Sequence, residues 1–213
     1  MIQPRGACKK PREVFYFLGF PARNKEKDHM ERLLKDEVLI KLLEKVDFEL
    51  AEEVRGGGCK YCEAKLHCGD FPRKPRGVAC GEWRYSFDCS QCRRRTTPVS
   101  VRFLGRRVYP GVVVVLVGAM MHGLNGRRVE LLRQELGIDI RTLKRWREWW
   151  LGEFVRSPFW KVARARFMPL MREEDMPLSL VERFKATGCE GLVRLMRFLV
   201  PITIGAANGG LGM

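Results

Sequence analysis

The chain has no long apolar run. Its longest, Val112 to Val117, is far short of the about 20 residues a membrane-crossing helix needs, and the stretch Leu192 to Ile204 is broken by Arg194, Arg197 and Pro201. No leader pattern opens the sequence either: Met1 to Lys10 is polar and no apolar core follows it. These two absences predict no membrane partner and a cytoplasmic, nucleoid-associated protein. There is no internal repeat. Acidic residues are scarce in the middle: from Phe71 to Arg166, 21 Lys and Arg face 7 Asp and Glu. The flanks are balanced, with 14 against 13 from Met1 to Asp70 and 5 against 5 from Phe167 to Met213. The formal net charge of +15 therefore sits almost wholly in one central block. Such a block repels itself and calls for a polyanionic partner.

Catalytic signatures are also missing. No nucleophile stands in a pattern with a base. The later acids, Glu173, Glu174, Asp175, Glu182 and Glu190, fall in helical or loop context. A two-metal site needs carboxylates converging from separate elements. The reading is a protein with no catalytic residues, and a compact nuclease is the enzymatic alternative.

What the sequence does have is cysteine: Cys8, Cys59, Cys62, Cys68, Cys80, Cys89, Cys92 and Cys189. In a reducing compartment paired thiols point to metal rather than disulfides. Cys59-x-x-Cys62 and Cys89-x-x-Cys92 are spaced so that two tight turns, at the tips of hairpins, present four sulfurs to one ion. A redox pair would need only one such motif, in a strand-to-helix setting. The expected cofactor is structural Zn2+ on Cys59, Cys62, Cys89 and Cys92. His67, Cys68 and Cys80 are spare candidates too few for a second site, and Cys8 and Cys189 stand alone.

The remaining pattern predicts an α+β fold, mostly α. Met1 to Lys27 has little periodicity apart from an apolar patch, Val14 to Phe20. Apolar residues recurring every three or four from Asp28 to Val54 predict a helix, with a break near Asp47. Gly56 to Gly58 mark a hinge. Two alternating runs, Trp83/Tyr85/Phe87 and Val99/Val101/Phe103, predict half-buried strands of short hairpins. The valines after Pro110 favour strand by propensity, but proline at a first turn favours a buried helix, and helix is the choice. Gly126 to Leu136 and Ile140 to about Phe154 read as a helical pair joined by a short turn. Asp139 caps the second helix, and Leu143, Trp146 and Trp150 form its inward stripe. Leu178 to Leu199 gives one or two helices broken at Gly188 and Gly191, before a Gly-rich tail. The expected segments are 1–55 (N-terminal helical), 56–109 (zinc ribbon), 110–170 (basic helix-turn-helix-like) and 171–213 (C-terminal helices and tail).

Arginine forks match phosphate geometry, and neutralised phosphates release counterions. The candidate nucleic-acid contacts are Arg73, Lys74 and Arg76 between the cysteine pairs, Arg93, Arg94 and Arg95 after Cys92, then Arg102, Arg106 and Arg107. Arg141, Thr142, Lys144 and Arg145 complete the set at the start of the second helix, where a recognition helix meets a groove.

The stretch Phe87-Asp88-Cys89-Ser90-Gln91-Cys92-Arg93-Arg94-Arg95-Thr96-Thr97, followed by Ser100-Val101-Arg102, Glu135-Leu136-Gly137-Ile138 and Thr142-Leu143, resembles the N-terminal part of zinc-ribbon transposases of bacterial insertion sequences. The likeness spans about Gly58 to Trp150. It implies DNA binding through Arg93, Arg94, Arg95, Arg141, Lys144 and Arg145. Those transposases continue into a nuclease domain with an acidic triad, which Phe167 to Met213 does not provide. The expectation is an accessory or regulatory protein of a mobile element, with DNA as partner. The alternatives are a truncated transposase, an RNA-binding ribbon and a protein-interaction adaptor. Self-association through the flanking helices is left open.

Overall fold

The computed structural model describes residues 33, 36–73, 76, 83–104, 109–121, 130, 134 and 137–203. Several expectations fall outside these residues: the N-terminal patch Val14 to Phe20, Lys74, Cys8, Cys80, Arg106, Arg107, the Gly-rich tail, and nearly all of the first helix of the expected pair, Gly126 to Leu136. Among the described residues the chain is mostly helical, with small antiparallel sheets.

Helix α1, Glu37–Gly56, starts at Asp36, whose Oδ1 accepts from the N–H groups of Val38 (2.8 Å) and Leu39 (3.4 Å). That satisfies two donors a helix start leaves unpaired. Its inward row is Leu39, Leu43, Val46, Asp47 and Ala51. The break expected at Asp47 is absent, because the helix turns this carboxylate inward to fixed partners described below.

Five short strands follow: β1 (Leu66–Cys68), β2 (Phe71–Pro72), β3 (Trp83–Arg84), β4 (Phe87–Cys89) and β5 (Arg95–Thr96). One antiparallel sheet runs β1-β4-β5, with Leu66 opposite Cys89 and Asp88 opposite Arg95. A separate pair joins β2 to β3, with Phe71 opposite Arg84. The expected strand Trp83 to Phe87 is thus two strands in two sheets. Its alternation is reversed at the start: Trp83 is exposed while Arg84 and Ser86 are buried. The expected strand at 99–103 is absent. Val101 and Phe103 are buried there, but so are Ser100 and Arg102, because a buried carboxylate holds them.

Helix α2, Gly111–Met120, is buried from Gly111 to Ala119. Its valines are poor helix formers, yet burial on every side outweighs that cost. It packs against α3, α5 and α6. Helix α3, Ile140–Glu148, is capped by Asp139, whose Oδ1 accepts from the Arg141 N–H at 2.8 Å. It runs on through a π-helical turn, Trp149–Phe154. Then come α4 (Pro158–Ala163), α5 (Leu178–Arg183) and α6 (Cys189–Phe198). Gly191 lies inside α6 and does not break it: the backbone of Lys185 passes so close that any Cβ there would overlap its carbonyl.

The main core gathers α1 to α3 with α5 and α6, centred on Val113, Leu143, Trp150, Leu180 and Leu192. An aromatic chain joins α3 to α4 and α6, with Phe154–Trp160 ring centres 5.4 Å apart and Phe159–Phe198 5.1 Å apart. A second, smaller core lies under the cysteines: Ala51, Leu66 and Phe87 with Cys59 and Cys89.

Candidate metal centre

The two Cys-x-x-Cys turns have the same build. Each opens with a backbone bond spanning five residues, Cys59 N–H to Ala64 C=O (3.0 Å) and Cys89 N–H to Arg94 C=O (3.1 Å). In each, the residue after the second cysteine takes a left-handed backbone: Glu63 at φ 59° and Arg93 at φ 54°. That conformation costs an ordinary side chain about 1 kcal/mol. Gly58, at φ 71°, must be glycine for space as well, since a Cβ there would stand 2.9 Å from the Glu63 carbonyl.

These turns bring four sulfurs within 4.8 Å of one another. Cys59 and Cys92 are 3.6 Å apart, and Cys62 and Cys89 3.4 Å. A tetrahedral ion with metal–sulfur bonds of about 2.3 Å separates its sulfurs by about 3.8 Å. The cluster therefore fits one ion. The donor set leaves no fourth position for water. The N–H groups of Gln91 and Cys92 lie 3.4 Å from the Cys89 sulfur. Burial pushes the Cys89 thiol up, but these N–H groups and the neighbouring thiols outweigh it and bring it down to about 6. At Cys92 the Arg94 N–H works downward, yet burial and three nearby thiols push it up to about 11. Four such groups cannot all ionise side by side without a cation between them.

Among the described residues no other group of three or more His, Cys, Asp or Glu side chains comes together this way. His67 and Cys68 are exposed on β1, outside the cluster. Cys189 lies at the start of α6, where its thiol meets Asp36 Oδ2 at 3.2 Å.

A buried ionic node that the pattern reading missed joins this module to the helices. Asp47, 1% exposed, accepts from Ser100 Oγ (2.5 Å), the Val101 N–H (2.6 Å) and Arg102 Nε (2.8 Å). Arg102, 3% exposed, also donates to the Trp83 carbonyl at 2.9 Å. Arg84 donates to the carbonyls of Pro98 and Val99, and burial lowers its pKa to about 10. Arg73, Arg84 and Arg102 stand 5.4, 6.0 and 5.2 Å from the centre of the buried Phe103 ring. Arg102 was expected on a binding face; it is instead an internal strut. A clue was available: Asp47 occupies an inward position of α1, four residues after Leu43 and four before Ala51.

Among the described residues, most of the other basic candidates face solvent. Arg76, Arg93, Arg94 and Arg95 are exposed, and Arg73 is half-buried. Arg95 is engaged by Asp88 through two bonds of 3.1 and 3.2 Å. On α3, Arg141, Lys144 and Arg145 are exposed, Thr142 is half-buried and accepts from Arg145 at 3.1 Å, and Leu143, Trp146 and Trp150 are buried.

No known protein family, curated protein or solved structure matches this chain. No helix among the described residues is long and apolar enough to cross a membrane.

Proposed function

We propose that this chain is a DNA-binding protein in which Cys59, Cys62, Cys89 and Cys92 hold a structural zinc ion. The four-thiolate set suits zinc, whose role there is to close and stabilise a small module. The module acts as a zinc ribbon. Helix α3 acts as the recognition helix, and the resemblance to insertion-sequence transposases makes an accessory or regulatory role the best reading.

The observation that carries the reading is the exposure of two cationic sets on rigid supports. Arg93 and Arg94 project from the second cysteine turn. Arg141, Lys144 and Arg145 project from an α3 whose opposite face is locked into the core. Cations held on fixed elements suit phosphate contacts and groove reading.

The test is metal analysis and duplex-DNA binding on the same preparation, before and after chelation. The expected result is one zinc per chain, with salt-dependent binding lost on chelation and restored by zinc. Zinc without duplex affinity above that of a generic basic protein would sink the DNA reading.

A further inference from the structure

The two cysteine turns share a backbone but not their tips. The second carries Ser90 and Gln91, small and polar. The first carries Lys60 and Tyr61, and Tyr61 is 53% exposed. Both sulfurs of the turn point inward, and the two residues between them, Lys60 and Tyr61, are left exposed. A phenol ring at this position is left facing water.

Charge gathers round that ring. The Lys60 ammonium lies over the ring, 4.9 Å from its centre, and the Arg94 guanidinium, reaching across from beyond the second turn, lies over it at 4.4 Å. Arg93 is exposed beside Arg94. Among the described residues, Lys60, Arg93 and Arg94 have no ion pair; Glu63 is the one exposed acid in the first turn. Tyr61 and Arg94 come from different turns, so closure of the sulfur cluster is what brings them together.

We propose that Tyr61, Lys60 and Arg94 form a seat for an unpaired nucleotide, in which the base takes the place of a cation over the tyrosine ring and the displaced cation turns to a flanking phosphate. An exposed ring flanked by cations that have no carboxylate partner matches a base with its flanking phosphates. Stacking on a protein ring needs an open base face, which a duplex interior does not offer. This proposal rests on the nucleic-acid reading above and gives it a substrate class: strands with unpaired bases, beside the duplex taken by α3.

The test compares binding of fluorescein-labelled dT12, of the same strand in a dT12·dA12 duplex, and of U12, by fluorescence anisotropy at one salt concentration. The proteins are zinc-loaded full-length wild type, Tyr61→Ala, Tyr61→Phe and Arg141→Ala, each checked for metal content and circular dichroism. Tyr61→Ala is expected to weaken dT12 binding about 5- to 100-fold, with the duplex changed less than about 2-fold. Tyr61→Phe, which keeps the ring, should bind dT12 like wild type, and Arg141→Ala should lose duplex affinity while keeping dT12. U12 bound more tightly than dT12 would make the strand RNA, and the reverse DNA; either supports the seat. If Tyr61→Ala leaves dT12 binding intact, or weakens duplex and single strand alike, the seat is overturned while the DNA reading stands. If wild type binds no probe, both fall.

Discussion

Asp47 and Arg102 are an ion pair with almost no solvent contact, at 2.8 Å. Removing one member of such a pair leaves the other charged and buried, which costs about 3–5 kcal/mol, whereas replacing both with apolar side chains costs much less. Asp47→Ala is therefore expected to lose about 3–5 kcal/mol in urea unfolding. The double variant Asp47→Leu/Arg102→Met should recover a large part of it. Glu173 makes a second prediction. Its carboxylate accepts from Trp160 Nε1 (2.8 Å) and Arg164 (3.0 Å), which lower its pKa below the usual 4.5. A carboxylate lowered in the folded state contributes stability that is present above its unfolded pKa and lost as pH falls through the folded one. Thermal midpoints should thus fall as pH drops below about 4.5, and Glu173→Gln should show a shallower fall over that range.

At the scale of elements, two helical glycines separate propensity from packing. Alanine in place of a helical glycine gains up to about 1 kcal/mol from propensity alone. Gly152, in the turn after α3, has nothing within 4 Å of where a Cβ would sit. Gly152→Ala is expected to be neutral or to raise stability by up to about 1 kcal/mol. Gly191, in α6, would drive its Cβ into the Lys185 backbone, which cannot move aside as a flexible side chain can. Gly191→Ala is expected to cost about 1–3 kcal/mol, and a measured gain would show that the 184–188 connection yields easily. Helix α3 carries its own prediction. Trp150 is wholly buried between α2 and the aromatic chain, so Trp150→Ala should cost about 3–5 kcal/mol. Exposed Arg145→Ala should leave the melting curve within about 0.5 kcal/mol.

At the scale of the whole molecule, the unequal cores predict how it comes apart. The core under the cysteines is small, and on the zinc reading it depends on that ion, whereas the helical core is large and continuous. Chelation is expected to abolish amide protection across 59–96 and leave most helical circular dichroism in place. Loss of both together would mean that the Asp47 node makes the chain a single cooperative unit. If the DNA reading holds, Arg93→Ala and Arg94→Ala should each reduce the slope of log K against log salt by about 1, across all duplex sequences.

Much of this was written in the sequence. The convergence of Cys59, Cys62, Cys89 and Cys92 follows from spacing, because a two-residue gap fixes which sulfurs can meet. The inward stripe Leu143, Trp146 and Trp150 and the cap Asp139 follow from helical period. The buried helix after Pro110 was reached despite its valines. What the sequence did not settle was where polar residues go when they are buried. Alternation placed Arg84, Ser86, Ser100 and Arg102 on a solvent face, and marked Asp47 as a helix break. The structure puts all five inside, because one carboxylate, brought within reach by tertiary packing, supplies Ser100 and Arg102 with a charged partner, while carbonyls at 96, 98 and 99 supply the others. Local period is set by the backbone and can be read along the chain. Satisfying a buried charge takes a partner some fifty residues away, and only the folded structure brings the two together.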